Sequence, residues 1–304
     1  MLKFTTINKE NPQKKPVKER SKNFTEIYSK FAKEKAEEQA SRCSQCGVPF
    51  CQVHCPLHNN IPDWLQLTAE ARLEEAYELA SSTNNMPEVC GRICPQDRLC
   101  EGNCVIEQSG HGTVTIGSIE KYITDNAWDN GWVKNILVAE EKNKSIGIIG
   151  SGPAGLAAAE QLRKKGYQIK IYDRYDRIGG LLIYGIPNFK LEKEIVKRRT
   201  DRLISSGINF NLNCNIGEDL SFAGCRRIGP LDSVGYSCAH HGGILLVLSA
   251  RCLGHVDERP RDGRATEPHY RAPSHALRLV SERGPDSLCR HLPECSYRVR
   301  KNEH

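Results

Sequence analysis

Apolar residues recur at helical spacing in three N-terminal stretches and change to strand-like runs near residue 146. Between 23 and 41, Phe24, Ile27, Tyr28 and Phe31 keep helical intervals and Ala32, Ala36 and Ala40 extend the same face, which predicts one helix over that span. Pro62 suits a first helical turn, and Leu65, Leu67, Leu73, Ala76, Tyr77 and Leu79 predict an amphipathic helical region reaching about residue 81. A third helix over 115–128 carries Ile116, Ile119, Ile123 and Ala127. The pattern then shifts to an apolar strand at 145–149, a glycine turn, an alanine-rich helix and a second strand at 168–172. A helix over 191–206 and a strand over 208–212 follow. This order predicts an α-helical domain followed by a partial α/β (Rossmann-like) domain.

Residues 1–22 are polar and lysine-rich, with Pro12 and Pro16, and read as an extended arm. The helical domain is placed at 23–139, a short charged linker at 140–145 and the partial dinucleotide domain at 145–222. Beyond Phe222 the character changes. Residues 1–222 hold 19 Lys and 11 Arg, whereas residues 223–304 hold 1 Lys and 12 Arg, and no sustained helical or alternating pattern survives. The longest late apolar run is 244–248. So abrupt a switch is that of translation in a shifted frame or fusion with unrelated DNA. Residues 223–304 are therefore read as an irregular, unrelated and disordered tail, with a genuine small C-terminal module as the alternative. Cys225, Cys238, His240 and His241 are not taken as metal ligands.

The net charge of +6 in 304 residues draws much of its excess from that tail, and no nucleic-acid module accompanies it, so nucleic acid is not expected as a partner. The first twenty residues carry many charges and no apolar core segment, and no apolar run approaches the ~20 residues of a membrane span. These features predict a soluble, cytoplasmic protein without a membrane partner. In that setting the 14 cysteines argue for metal or cluster ligation over disulfides. Eight of them form two groups. Cys43, Cys46, Cys51 and Cys55 are spaced C-x2-C-x4-C-x3-C with Pro56 following, and Cys90, Cys94, Cys100 and Cys104 are spaced C-x3-C-x5-C-x3-C with Pro95 after Cys94. Close spacing lets one loop wrap several corners of a cubane, and proline helps to bend that loop. Two [4Fe–4S] clusters are one reading. Two structural zinc sites are the other, although only Cys43 and Cys46 have the usual knuckle spacing.

The turn Gly150-Ser151-Gly152-Pro153-Ala154-Gly155 is a G-x-G-x-x-G between a strand and a helix. Gly150 permits the tight turn, Gly152 admits a pyrophosphate to the backbone, and Gly155 lets helix and strand pack closely. The helix begins at about Pro153, so its positive end faces the phosphates. Asp173 lies 18 residues after Gly155, at the end of the second strand, where an acid can bind a ribose hydroxyl. The fingerprint does not separate NAD from FAD. The pair Gly179-Gly180, followed by Leu181, resembles flavoproteins with a double glycine there and tilts the choice to FAD.

Taken together, Arg42-Cys43-Ser44-Gln45-Cys46-Gly47, Cys55-Pro56, Ile61-Pro62-Asp63-Trp64 and Pro87-Glu88-Val89-Cys90-Gly91-Arg92-Ile93-Cys94-Pro95 carry a family resemblance. So do Val114-Thr115-Ile116-Gly117, the G-x-G-x-x-G turn, Gly179-Gly180-Leu181-Leu182 and Gly185-Ile186-Pro187-Asn188-Phe189-Lys190. Residues 1–222 resemble the small (beta) subunit of NADPH-dependent glutamate synthase; the N-terminal region of dihydropyrimidine dehydrogenase is the next resemblance. The resemblance implies two [4Fe–4S] clusters with ligands exchanged between the groups. Cys43, Cys46, Cys51 and Cys104 would hold one; Cys55, Cys94 and Cys100 would hold the other, with Cys90 or Glu120 as fourth ligand. It further implies FAD reduced by NADPH, with single electrons passed through the clusters to a large (alpha) subunit that makes glutamate from glutamine and 2-oxoglutarate. The complete subunit has a second dinucleotide domain for NADPH and a late segment that completes the FAD domain. No second G-x-G-x-x-G and no expected strand is legible after Phe222. The chain is thus expected to be a truncated small subunit, impaired in NADPH oxidation and with an open sheet edge. The alternatives are a non-catalytic cluster- or zinc-binding docking protein, or an electron-transfer subunit of a pyrimidine-reducing enzyme.

Overall fold

A computed structural model describes residues 1–221 and the backbone of two further strands at 231–237 and 245–249. A 3-10 turn at Lys3–Thr5 and helix α1 (Val17–Arg20) open the chain. The helix expected over 23–41 is shorter: α2 spans only Lys33–Ala40, and Phe24 is exposed. The residues before it are committed elsewhere. Lys15 N donates to Ile27 O at 2.8 Å and Ser29 N to Gln13 O at 2.8 Å, around an antiparallel bridge between Lys14 and Tyr28. The Asn23 side chain also accepts from Thr25 N at 3.1 Å, a local turn that competes with helix.

Next come α3 (Phe50–Val53), α4 (Ile61–Ala69), α5 (Leu73–Thr83), α6 (Pro87–Ile93), α7 (Val105–Gln108) and α8 (Ile116–Asp129). The helical region expected from 61 to 81 is divided at Ala71, whose φ is +60°. There Arg72 N turns back to Leu67 O at 2.8 Å, a left-handed closure of α4. Helix α8 is the axis of this domain. Its positions Ile116, Ile119, Ile123 and Ala127 are buried against Trp64, Leu65, Ala76, Ala80 and Ile106. Each large side chain so buried contributes roughly 1.5–3 kcal/mol.

The second domain is built from β1 (Ser145–Ile149), α9 (Pro153–Lys164), β2 (Gln168–Tyr172), α10 (Leu181–Tyr184), α11 (Lys193–Ser205) and β3 (Asn209–Asn211). Strands β4 (Leu231–Ser237) and β5 (Leu245–Ser249) continue its sheet, in the order β3-β2-β1-β4-β5. Strand β1 is central and pairs in parallel with both β2 and β4, while β4 and β5 are antiparallel. The sheet thus runs past the boundary placed at Phe222, with β4 pairing along one side of β1. The apolar run at 244–248 nearly coincides with β5, but a short run without a clear period does not declare itself a strand. Apart from these two strands, the reading of 223–304 as an unrelated tail falls outside the described residues. Among the described residues, no helix is long and apolar enough to cross a membrane.

The two domains meet where α6 faces α11. Arg199 on α11 donates from Nε to Glu88 Oε1 at 2.7 Å and from Nη2 to Glu88 Oε2 at 2.9 Å, with both side chains buried. Glu160 on α9 joins at 3.5 Å from Arg199 and 3.0 Å from Arg202. A second set links Arg92 of α6 and Arg198 of α11 through Asp125 of α8, at 2.7 and 2.8 Å. Arg198 and Arg199 also stand 5.0 and 5.4 Å from the centre of the Trp128 ring. Val89 packs with Leu182, Leu191, Ile195 and Val196 beside this network.

Breaking such a pair on one side strands a buried charge. Arg199→Leu is expected to destabilise the chain by about 3–5 kcal/mol in urea unfolding, and the double variant with Glu88→Leu to recover most of that loss. Burial alone would raise the Asp125 and Glu160 carboxyls, but the surrounding arginines outweigh it and hold both below the usual range. Their contribution is therefore complete above the unfolded-state values, about 4, and is lost as pH falls through the depressed folded-state values. Thermal unfolding followed downward from about pH 6 should show a steep acid limb, flattened in Asp125→Asn.

Candidate functional site

Three of the four N-terminal cysteines stay together, and the last cysteine of the second group joins them. Cys43, Cys46, Cys51 and Cys104 line one cavity, walled by Phe50, Leu65, Val114 and Ile116. Burial pushes the Cys43 thiol up to about 11 and the Cys51 thiol up to about 12, and the neighbouring thiols add to both. Gln45 sits at φ +53° between Cys43 and Cys46, a conformation uncommon for a residue with a side chain. It brings both its backbone N–H and its Nε2 to Cys43 Sγ, at 3.5 and 3.4 Å, while Nε2 also donates to Pro62 O at 2.7 Å. The adjacent Arg42 is fully buried and donates to Ile7 O at 2.9 Å and to His111 O and Gly112 O at 2.8 Å each, as well as to Thr113 O. Arg42 therefore ties the cysteine loop to the segment before α8.

The second group forms where α6 crosses α8. The crossing is close because it is made by glycines: a Cβ on Gly91 would lie 2.6 Å from Lys121 N, and one on Gly117 would lie 2.4 Å from Gln96 Nε2. Cys90 on α6 and Cys94 at its end are neighbours, and a side-chain hydrogen bond with Cys94, together with burial, holds the Cys90 thiol well above its ordinary range. Asn84, buried in the turn before α6, donates to Glu120 Oε1 at 3.2 Å, and its Oδ1 stands 3.7 Å from Cys90 Sγ. Burial, with Cys90 close by, holds the Glu120 carboxyl well above its ordinary range. Burial raises Cys100 too, with Glu101, Glu120 and Cys55 among its charged neighbours. Cys55, Cys90, Cys94, Cys100 and Glu120 are thus linked as neighbours through these contacts.

Buried thiols held in their neutral form are suited to bind a cationic metal centre that displaces their protons. Soft sulfur donors around a walled volume fit an iron–sulfur cluster by chemistry. Among the described residues, no three His, Cys, Asp or Glu side chains converge on a point suited to one metal ion. Cys43, Cys46, Cys51 and Cys104 line a cavity instead.

In the second domain, Gly152 caps α9 with no side-chain cap, and Pro153 and Ala154 form its first turn. A Cβ on Gly155 would fall 2.0 Å from Gly150 O, so that glycine is fixed by packing; a Cβ on Gly152 would meet nothing within 4 Å. Gly180, at φ +53°, lies against the same turn, where its Cβ would be 2.9 Å from Gly152 Cα. Gly179 N donates to Ser151 O at 3.0 Å and Leu181 begins α10, which brings the double glycine onto the fingerprint. Asp173 follows β2 and is buried. Its Oδ2 accepts from Ser151 N and Ser151 Oγ, both at 2.6 Å, and its Oδ1 accepts from Tyr175 N at 2.9 Å. An open space above a helix N-terminus, flanked by glycine backbone and a fixed carboxylate, fits a dinucleotide. Sequence reasoning missed Arg42, Asn84 and Ser151. Asn84 lay in a polar turn that reads as surface, and the partner of each is distant in sequence.

A cysteine-rich helical domain joined to a Rossmann-like domain defines a two-domain protein of the cysteine-rich, dinucleotide-fold class. Residues 20–132 match the family described as dihydropyrimidine dehydrogenase domain II, 4Fe-4S cluster, and residues 148–188 match the NAD(P)-binding Rossmann-like domain. Among similar proteins, the glutamate synthase [NADPH] small chain of Azospirillum brasilense is 63% identical over 227 residues, 75% of this chain and 47% of its own length. The small chain of Escherichia coli is 48% identical over 220 residues, 72% of this chain and 46% of its own, and that of Halomonas elongata 48% over 221, 73% and 47%. Over its N-terminal three-quarters the chain is homologous to glutamate synthase [NADPH] small chains. It spans about half the length of the curated relatives it matches.

The two glycines should separate binding from packing. Gly152→Ala is expected to keep the thermal midpoint while weakening dinucleotide binding, titrated by fluorescence, by about tenfold or more. Gly155→Ala is expected to lose about 1–3 kcal/mol of stability from overpacking.

Proposed function

We propose that the chain carries the cluster and flavin sites of a glutamate synthase small subunit, which passes electrons from NADPH through FAD and two [4Fe–4S] clusters to a large (alpha) subunit. The observation that carries this reading is the regrouping of the cysteines: Cys104 joins Cys43, Cys46 and Cys51 around one cavity, while Cys55, Cys94 and Cys100 are left beside Cys90 and Glu120. In this reading the first four thiolates hold one cluster. Cys55, Cys94 and Cys100 hold the other with Cys90 or Glu120. Gly150, Gly152, Pro153, Ala154, Gly155, Gly180 and Leu181 form the cradle of the flavin dinucleotide, and Asp173 accepts from its ribose.

When bound, FAD accepts a hydride and releases electrons singly, and the clusters carry one electron each. The chain's part is to hold these groups apart from water and at fixed positions. Ser151 locks the Asp173 carboxylate, α9 presents its N-terminus to the pyrophosphate, and Asn84 orients Glu120 toward Cys90. Cys90 stands on α6, the helix that docks on α11, and Cys94 follows at its end, so the second group adjoins the dinucleotide domain. Electron transfer in a pyrimidine-reducing enzyme is a second reading, favoured by the family described for residues 20–132. The glutamate synthase small chains that match across both domains favour the first.

Anaerobic reconstitution of the full chain is expected to incorporate about eight irons and eight sulfides, with a visible absorbance that dithionite bleaches. A colourless, zinc-loaded chain would sink the proposal. Cys90→Ser and Glu120→Gln then identify the fourth ligand: loss of the true ligand should lower iron content by up to about half, and the other variant should load normally.

A further inference from the structure

One charge beside the first thiol group is not used by the proposed chemistry. We infer that Arg42 is a positioning residue that raises the reduction potential of the cluster held by Cys43, Cys46, Cys51 and Cys104, so that electrons arriving from the dinucleotide side settle there. The inference rests on the cluster reading above and deepens it.

Arg42 precedes Cys43 and is fully buried, and its guanidinium hydrogen bonds end on the carbonyl oxygens of Ile7, His111, Gly112 and Thr113. Carbonyls satisfy the donors but leave the unit charge in place. Its charged neighbours are Cys104 and Glu107. The Glu107 carboxylate is exposed and accepts from Thr113 N at 2.6 Å, so solvent screens much of its effect. A buried cation calls for a counter-charge, and four thiolates around an iron–sulfur core supply one. Taking up one electron makes that core more negative by one charge with no proton needed, and a fixed positive charge close by stabilises this form.

The second group has different surroundings. Glu88 acts on Cys90, and Glu101 and Glu120 act on Cys100. Glu88 is neutralised by Arg199, Glu120 is held by the Asn84 amide and is itself a candidate ligand, and Glu101 is 3.7 Å from Lys9. Acids so paired or held bring no positive charge to the second group, whereas Arg42 brings one to the first. The charge distribution therefore slopes from the second group, which adjoins the dinucleotide domain, to the first.

The test is a redox titration of the reconstituted full chain, followed by electron paramagnetic resonance so that the two clusters are read separately. Arg42→Gln is expected to lower the midpoint of one cluster and leave the other in place. Arg42→Lys keeps the charge without the fork, and is expected to lower thermal stability while holding the midpoint close to that of the unaltered chain. Glu107→Gln keeps an acceptor for Thr113 N and removes a negative charge, so the same midpoint should rise, by less than Arg42→Gln lowers it. Should Arg42→Gln not fold, Glu107→Gln and Arg42→Lys decide alone. Normal iron and sulfide content with midpoints unmoved in the charge-changing variants overturns this inference and leaves the cluster reading standing. Failure of the unaltered chain to take up iron and sulfide overturns both.

Discussion

The buried pair between Glu88 and Arg199 is the contact on which the two halves of the molecule depend. Neither residue could sit where it does without the other, because each is a full charge removed from water. Glu88 is two positions before Cys90 on α6, and Arg199 lies on a helix that packs beside the double-glycine segment. A single ion pair therefore fixes the spacing between a thiol group and the dinucleotide turn. The Asp125 set and the Trp128 ring surround it with further arginine contacts, so the joint is specified by charge geometry and not only by apolar fit.

Within the helical domain, α8 divides the work. Its apolar positions make the core, while Glu120, a titratable residue on the buried side, is held beside Cys90 by Asn84. The polar residue belongs to the site and the apolar ones to the fold, and both are placed by the same helix. In the second domain a comparable economy appears at Asp173, whose Oδ2 ties the strand end to the fingerprint turn by accepting from both Ser151 N and Ser151 Oγ.

What the sequence made legible follows from periodicity and from glycine. Helix α8 and the β1-α9-β2 unit match their expected spans closely, because a repeated apolar spacing and a constrained turn leave few alternatives. The helix expected over 23–41 failed in its first half because a long-range pairing between Lys14 and Tyr28 overrode local spacing. The break at Ala71 was hidden because alanine is a good helix former and gives no sign of a left-handed turn. Arg42 and Asn84 read as an ordinary charge and an ordinary turn residue. Their significance arises only when residues 71 and 36 positions away are brought against them. The regrouping of Cys104 with the first three cysteines was not contained in the spacing, since two tidy groups of four suggest two local loops.

Gly91 and Gly117 contribute no functional group, yet they set the separation of α6 and α8 by what they omit. Two backbones in contact leave no slack, so the distance between Cys90 and Glu120 is inherited from the thickness of a peptide chain. The tolerance of the site is consequently that of covalent geometry, and the sequence around it can drift widely as long as those two positions stay bare.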